Sequence, residues 1–213
     1  MIQLDTYDPE GFFDEMVMAP GTARPGMESV VQKLGLMDGN DLRARQRIAE
    51  RTLFQMGITF QVYGEEAGSE RIFPFDVIPR IVTAQEWDWV ERGLKQRIHA
   101  LNLFLADIYD GRKIVRDGVV PDYVLQSSNA YRPQCAGLEP PRGIWCHISG
   151  TDLVRDGDGQ IYVLEDNVRC PSGVSYVLEN REVMKRSMPQ VFSAGRVRPV
   201  EEYPSRLLAA LTH

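Results

Sequence analysis

Two oxygen-bearing side chains stand at the end of a predicted strand, where they could act together on one ligand. The apolar run 161–164 (IYVL) is typical of a strand, and it is followed directly by Glu165, Asp166 and Asn167. Side chains alternate between the two faces of a strand, so Glu165 and Asn167 are expected on one face and Asp166 on the other. The sequence therefore predicts two oxygen ligands that point the same way.

A third oxygen ligand is predicted on a partner strand. Residues 152–154 (DLV) form a short strand-like run, and Asp156–Gly159 (DGDG) between the two runs is a strong hairpin-turn signal. Antiparallel pairing would bring Asp152 close to Glu165. Two carboxylates and the amide carbonyl of Asn167 suit Mg²⁺, which prefers hard oxygen ligands and completes its shell with water and phosphate oxygens.

A helix is predicted after this hairpin. Pro171, Ser172 and Gly173 lead into it, and we expect Ser172 to be its N-cap. The free N–H groups at a helix N-terminus attract anions, so an anionic ligand could bind beside the metal. The apolar positions of this helix are Val174, Val177, Leu178, Met184, Met188 and Val191.

Five segments together resemble one known group of proteins. They are GIWCHISGTDLVRD (143–156), YVLEDN (162–167), PSGVSYVLENR (171–181), GITFQVYG (57–64) and ERIFPFDVIPRI (70–81). The chain is similar to the circularly permuted ATP-grasp proteins related to glutathionylspermidine synthase and eukaryotic glutathione synthetase. The resemblance implies an α/β (mixed α+β) fold, with a mixed or antiparallel sheet and packed helices, as part of a circularly permuted ATP-grasp architecture.

The resemblance also implies roles for individual residues. Glu165 and Asn167 match the pair that carries Mg²⁺ between the phosphates of ATP, and Asp152 matches a third metal-binding carboxylate. Ser172 and Gly173 match a loop that contacts the phosphates or the acceptor substrate.

One position departs from the pattern of the synthase relatives. They place an arginine two residues before the metal-binding aspartate, where this chain has Gly150. Arg155 or Arg169 would then have to bind phosphate or carboxylate oxygens in its place, as guanidinium groups do in a bidentate way. Arg169 is nearest in sequence to the metal pair and is the expected catalytic residue.

The implied activity is an ATP-dependent carboxylate–amine ligase. A substrate carboxylate would attack the γ-phosphate of ATP to give an acyl phosphate, which an amine would then capture as an amide. The expected substrates are a small-molecule or peptide carboxylate and an amine, with Mg²⁺ and ATP as cofactors. Relatives of this type are longer, so this chain resembles their N-terminal portion, and the alternative is a reduced, non-catalytic relative that binds a peptide or protein.

Two other interpretations of the hairpin remain. The first assigns no function to the hairpin: it is a tight turn, and Glu165 is a solvated residue at the end of a strand. The other is a calcium-binding EF-hand loop, which is disfavoured because Val154 stands where its first acidic ligand belongs and its flanks are not helical. The residues that fit that loop are Asp156, Asp158, Gly159, Ile161 and Glu165.

Composition narrows the class of protein. The chain has 213 residues, 43% of them hydrophobic, and a net charge of −6 without a basic run, so a globular protein with no nucleic-acid partner is expected. It has no apolar run of the roughly 20 residues that span a bilayer, and no signal-peptide pattern at its start. We therefore predict a cytoplasmic protein without a membrane partner, and a homo-oligomer is possible. Its three cysteines form no C-x-x-C pair, so disulfides are not indicated.

The remaining segments suggest a simple organisation. Residues 1–40 are expected to form an extended N-terminal arm, and residues 41–213 the ATP-grasp portion. A helix is predicted from Asp41 and ends at Gly57, and a hairpin is predicted from 58–63 and 71–78. The face of that helix comprises Leu42, Ile48, Ala49, Thr52, Leu53 and Met56.

The clearest predicted helix begins at Thr83, where Thr83 and Glu86 form a capping box. Apolar residues at spacings of three and four form a stripe along this helix, and we expect the stripe to pack in a core and not to form a coiled-coil seam. A short strand is predicted at Tyr123–Leu125. The stripe comprises Trp87, Val90, Leu94, Ile98, Leu101, Leu105 and Ile108.

Overall fold

The computed structural model describes residues 4–61, 70–169 and 171–212. Helices alternate with three small sheets in this part of the chain, and each sheet consists of two strands. The predicted mixed α/β class is confirmed. The chain divides into two compact units, the first comprising Met1–Thr83, Arg155–Gln160 and Ser172–Leu208, and the second Ala84–Val154, Ile161–Pro171 and Ala209–His213.

The N-terminal part of the first unit contains regular structure. Strands β1 (Val17–Ala19) and β2 (Thr22–Ala23) pair antiparallel, and helix α1 (Glu28–Gly35) follows. Val30 and Leu34 of α1 are both 3% exposed and belong to the core. The expected extended arm is therefore wrong for α1, because a spacing of four residues on a helix places both apolar side chains on the buried face.

Helix α2 (Gly39–Gln55) begins two residues before the predicted start. The side chain of Asp38 accepts hydrogen bonds from the N–H groups of Asn40 and Asp41, and Asp41 bonds back to the N–H of Asp38, which is a capping box. Gly57 follows the helix with a φ of +69°, as expected of a residue that ends a helix. Ile48 is 49% exposed, so it does not belong to the buried face that was predicted.

The core of the first unit forms where α1 and α2 pack against C-terminal helices. Helix α2 packs on α6 (Val174–Ser187), and α1 packs on α7 (Pro189–Ala194). The single predicted helix is thus two helices, because Pro189 cannot continue α6 but suits the first position of α7. The buried side chains are Val30, Leu34, Met37, Ala49, Leu53, Val77, Val183, Met188 and Val191.

A two-stranded sheet and the greater part of a C-terminal helix also belong to this unit. Strands β3 (Thr59–Gln61) and β4 (Glu70–Ile72) pair antiparallel, with Thr59 opposite Ile72. Residues 62–69 of the predicted hairpin lie outside the described residues. Helix α8 (Tyr203–Leu211) closes the described chain.

The second unit is organised around one long helix. Helix α3 (Ala84–Tyr109) agrees with the predicted helix, and Val90 and Ile108 of its stripe are buried. It packs against the short helix α4 (Lys113–Arg116). None of the helices in the described ranges has both the length and the apolar character of a membrane span.

The predicted strand at Tyr123–Leu125 is wrong. These residues lie in helix α5 (Asp122–Ser127), where Leu125 is buried. Pro121 precedes the helix in an extended conformation, and Asp122 places a negative charge in its first turn. Both are helix-start signals that outweigh the β-propensity of Tyr123 and Val124.

The core of the first unit can be tested with adjacent substitutions in α2. Leu53 is fully buried and Phe54 is 62% exposed. We expect Leu53→Ala to lower the free energy of unfolding by about 2–5 kcal/mol, because it leaves a cavity. Phe54→Ala should change it by less than about 1 kcal/mol. Urea denaturation measures both, and equal losses would contradict this description of the core.

Candidate functional site

The hairpin that carries the candidate ligands has a tight turn at its tip. Strands β5 (Gly150–Arg155) and β6 (Ile161–Asn167) form a two-stranded sheet. The N–H of Asp156 donates to the carbonyl of Gln160 at 2.8 Å, and the N–H of Gly159 donates to the carbonyl of Asp156 at 2.9 Å. Gly159 has a φ of +87°, which this turn requires. Because strands flank the turn, the EF-hand alternative is wrong.

Two observations show which side chains share a face of this hairpin. The hydroxyl of Thr151 donates to a carboxylate oxygen of Asp166 at 3.0 Å, so these two residues lie on one face. A Cβ atom added to Gly150 would lie 3.8 Å from the Cβ of Asn167, so these two positions lie on the other. Alternation along the strands then places Asp152 and Glu165 on the face of Asn167.

The three predicted metal ligands thus share the second unit and one face of its hairpin. All three residues are exposed, and the side-chain amide of Asn167 donates to Glu165 Oε1 at 3.1 Å. That hydrogen bond uses the Nδ2 atom of Asn167 and leaves its carbonyl oxygen available. Two carboxylates and an amide oxygen are a donor set that Mg²⁺ accepts. In the described ranges, no group of three or more His, Cys, Asp or Glu side chains could hold a metal ion. The candidate site therefore depends on the amide of Asn167 as its third ligand.

Asp166 points to the opposite face and fixes the strand between two of these ligands. Its carboxylate pairs with Arg97 of α3, with 2.6 Å between Nε and Oδ2, and also accepts the hydrogen bond from Thr151. The side chain of Asp166 is 10% exposed and that of Arg97 is 47% exposed. Alternation along the strand predicts this face for Asp166 but not its role, because its partner Arg97 is distant in sequence.

The open end of the hairpin is tied by Cys146. Its thiol lies 3.2 Å from the carbonyl of Ile148 and 3.1 Å from that of Val168, one residue beyond β6. Burial raises the pKa of this thiol, although the hydrogen bond to Ile148 opposes the effect. The side-chain amide oxygen (Oδ1) of Asn102 accepts the N–H groups of Trp145 and Cys146 at 2.8 and 2.9 Å. These contacts fit a structural role for Cys146.

Arg155, predicted to bind phosphate, is held within the first unit by other groups. Its side chain is only 8% exposed, and its Nε lies 2.7 Å from Glu15 Oε1. Its Nη1 donates to the carbonyl of Gly159 at 2.8 Å. Its guanidinium lies 5.2 Å from the centre of the Phe13 ring. With these contacts, Arg155 holds the hairpin tip in place, and the arrangement does not favour it as a phosphate ligand.

Glu15 accepts a second arginine. Arg80 Nε lies 2.8 Å from each carboxylate oxygen of Glu15. Burial by itself would raise the pKa of Glu15, but the hydrogen bonds and charges of Arg80 and Arg155 lower it below its ordinary value. Glu15 is therefore ionised over the physiological range. No local sequence pattern predicts this cluster, because 140 residues separate Glu15 from Arg155.

The other predicted residues stand as follows. Arg169 is an exposed residue of the second unit, two positions after Asn167. Ser172 is exposed and belongs to the first unit. Gly173 is the N-cap of α6, with a φ of +95° and no side-chain cap. The prediction that Ser172 is the N-cap is therefore wrong. A glycine suits this position because the left-handed conformation disfavours other residues.

Comparison with known proteins identifies a family. A family model described as circularly permuted ATP-grasp type 2 matches residues 79–213. This segment contains both strands of the hairpin, all three candidate metal ligands, and Arg169.

Several relatives extend the likeness over nearly the whole chain. An uncharacterised protein of Synechocystis is 50% identical over 210 residues, which is 99% of this chain and 44% of that protein. An uncharacterised protein of Mycobacterium tuberculosis is 44% identical over 199 residues, or 93% of this chain and 35% of that protein. The chain therefore spans less than half the length of these curated relatives.

One relative carries the name of an activity. A protein of Frankia alni, provisionally named glutamate–cysteine ligase 2-3, is 42% identical over 193 residues. The match covers 89% of this chain but 22% of that protein.

The contact between Asp166 and Arg97 can be tested by a substitution that keeps shape and removes charge. We expect Asp166→Asn to lower the free energy of unfolding by about 1–3 kcal/mol, because the charge opposite Arg97 is lost and one amide oxygen must replace the two oxygens that accept from Arg97 and Thr151. Asp158→Asn is the control, because Asp158 lies in the exposed turn and an amide oxygen can still accept the N–H of Gln160. Urea denaturation compares them, and equal stability of both variants would contradict a fixing role for Asp166.

The lowered pKa of Glu15 predicts a pH dependence. A carboxylate whose pKa is lowered by folding adds stability above its ordinary pKa of 4.5, and this stability disappears as the pH falls through the folded value. We expect wild type to be more stable than Glu15→Gln at pH 7, and the difference to shrink below pH 4.5. Thermal melting from pH 7 to 3 measures the difference, and a constant gap would contradict the assignment.

Proposed function

Because the chain belongs to the circularly permuted ATP-grasp type 2 family, we propose that it carries the metal-binding hairpin of an ATP-dependent carboxylate–amine ligase. The observation that supports this most strongly is the shared face of Asp152, Glu165 and Asn167 on one hairpin. A structure with only a solvated turn would not need two carboxylates and an amide on the same face.

In this proposal, the three side chains hold Mg²⁺ and ATP is the phosphoryl donor. The bound cation would offset the negative charge that develops on the phosphate oxygens during transfer. The hydrogen bond from Asn167 to Glu165 orients both groups before a ligand arrives. Asp166 serves the same purpose from the opposite face, since its contacts with Arg97 and Thr151 restrain the backbone between them.

The anionic parts of the substrates would be bound by Arg169 and by the loop of Ser172 and Gly173. Arg169 is exposed, and a guanidinium can bind a phosphate or carboxylate through two parallel hydrogen bonds. The α6 N-terminus has no side-chain cap, so its N–H groups can donate to an anion. Arg155 would act indirectly, through its contact with Glu15 at the hairpin tip.

The proposed chemistry has two steps. An oxygen of the substrate carboxylate attacks the γ-phosphorus of ATP, ADP leaves, and an acyl phosphate forms. The nitrogen of the amine then attacks the acyl carbon, phosphate leaves, and the amide nitrogen loses a proton. The substrates are a small-molecule or peptide carboxylate and an amine, which is the class that the name of the Frankia alni relative indicates. Cytoplasmic location and the absence of a nucleic-acid partner stay predictions from the sequence, and a homo-oligomer stays a possibility that nothing in the structure tests.

Calorimetric titration of ATP with Mg²⁺ into the 213-residue chain tests this proposal. We expect Glu165→Gln to weaken binding by more than about tenfold, because loss of a metal ligand should cost at least as much as loss of an outer-shell partner. Glu139→Gln is the matched control, since it removes the same charge from an exposed residue outside the hairpin.

The outcomes separate the two functions under consideration. Unchanged binding in Glu165→Gln would show that the metal assignment is wrong. If wild type does not bind ATP with Mg²⁺, there are two explanations: the nucleotide site needs residues that these 213 do not include, or the chain is a non-catalytic peptide- or protein-binding module. Titration of a longer chain separates them.

A further inference from the structure

Gly150 is the first residue of β5 and occupies a place that no side chain can fill. Its φ lies outside the left-handed region, unlike that of Gly159, so its backbone conformation does not require glycine. The requirement is for space. A Cβ atom at this position would lie 2.8 Å from the Cβ of Pro171, a separation that real Cβ atoms essentially never show.

The obstructing atom cannot move aside easily. The Cβ of Pro171 belongs to a ring fused to the backbone, whereas the end of a flexible side chain could rotate away. The same added atom would lie 3.8 Å from the Cβ of Asn167, which is ordinary van der Waals contact. A side chain at position 150 must therefore displace Pro171. Because the added atom also contacts Asn167, this movement would take place next to a candidate metal ligand.

We infer that Gly150 is a positioning residue for the candidate metal site. By leaving room for Pro171, it lets the chain turn directly against the end of β6 and fixes the surroundings of Asn167. This inference rests on the proposed function, since it takes Asn167 as a metal ligand.

The same contact leaves no room for an arginine side chain at this position. An arginine side chain begins with the Cβ atom that Pro171 excludes. A protein with this Pro171 arrangement must bind phosphate oxygens with other groups, and the exposed Arg169 is the nearest candidate in sequence.

Three variants test the inference. Gly150→Ala adds only the obstructed Cβ atom. Gly157→Ala is the control, because Gly157 lies in the exposed turn of the same hairpin, its φ is not left-handed, and an added Cβ meets nothing within 4 Å. The double variant Gly150→Ala with Pro171→Gly removes the obstructing ring and should relieve the clash.

The first readout needs no ligand. In ¹⁵N NMR spectra of the free chain, we expect Gly150→Ala to shift the side-chain amide resonances of Asn167, the double variant to move them back toward wild type, and Gly157→Ala to leave them unchanged. The second readout is the affinity for ATP with Mg²⁺, which Gly150→Ala should lower by about tenfold and the double variant should partly restore.

Each result decides one question. Unchanged Asn167 resonances in Gly150→Ala would overturn the positioning role, whatever the affinities are. Loss of folding in Gly150→Ala that the double variant does not rescue would also overturn it, because the glycine would then be needed for stability alone. If the variants show the expected shifts but wild type does not bind ATP, the positioning role stands and the result counts only against nucleotide binding by this chain.

Discussion

The alternation of side chains across the β5–β6 hairpin is the constraint on which the candidate site depends. A slip of one residue in the pairing would move Asp152 away from the face of Glu165 and Asn167. The contact of Thr151 with Asp166, and that of Asp166 with Arg97, both oppose such a slip, because they satisfy a largely buried carboxylate in one register only. Contacts on the opposite face of the hairpin thus keep Asp152, Glu165 and Asn167 on one face.

Isolated two-stranded sheets are marginally stable, so this hairpin needs support along its length. At the open end, the thiol of Cys146 supports the hairpin through its contacts with the carbonyl groups of Ile148 and Val168. At the tip, Arg155 binds Glu15 and the carbonyl of Gly159. Gly159 itself packs so closely against Phe13 that an added Cβ atom would overlap the ring. The turn itself forms from local sequence, and Glu15 and Phe13, which are distant in sequence, stabilise it.

Local patterns predicted those features that depend on local physics. The alternation before Glu165, the Asp156–Gly159 turn, the stripe of α3 and the stop at Gly57 all act within a few residues, and the structure has each of them. The strand expected at Tyr123–Leu125 is wrong, because the helix-start signals at Pro121 and Asp122 outweigh the β-propensity of these side chains.

Features that depend on distant partners were not predictable from the sequence. The prediction that Arg155 binds phosphate follows from the missing arginine at position 150, and only the fold shows that Arg155 pairs with Glu15. The role of Gly150 likewise depends on Pro171, 21 positions along the chain. Helix α1 was missed for another reason: its short pattern follows a segment rich in proline and glycine, whose loop signal concealed it.

The most direct test of the account is to locate the metal. Mn²⁺ can replace Mg²⁺ at oxygen sites, and its unpaired electrons broaden the NMR signals of nearby nuclei most strongly. At low Mn²⁺, the account predicts the strongest broadening at the side-chain amide of Asn167 and the backbone amides of Asp152 and Glu165. Strongest broadening at the turn of Asp156 and Asp158 would contradict it, because the metal would then bind the acidic turn and the shared face would have no such role.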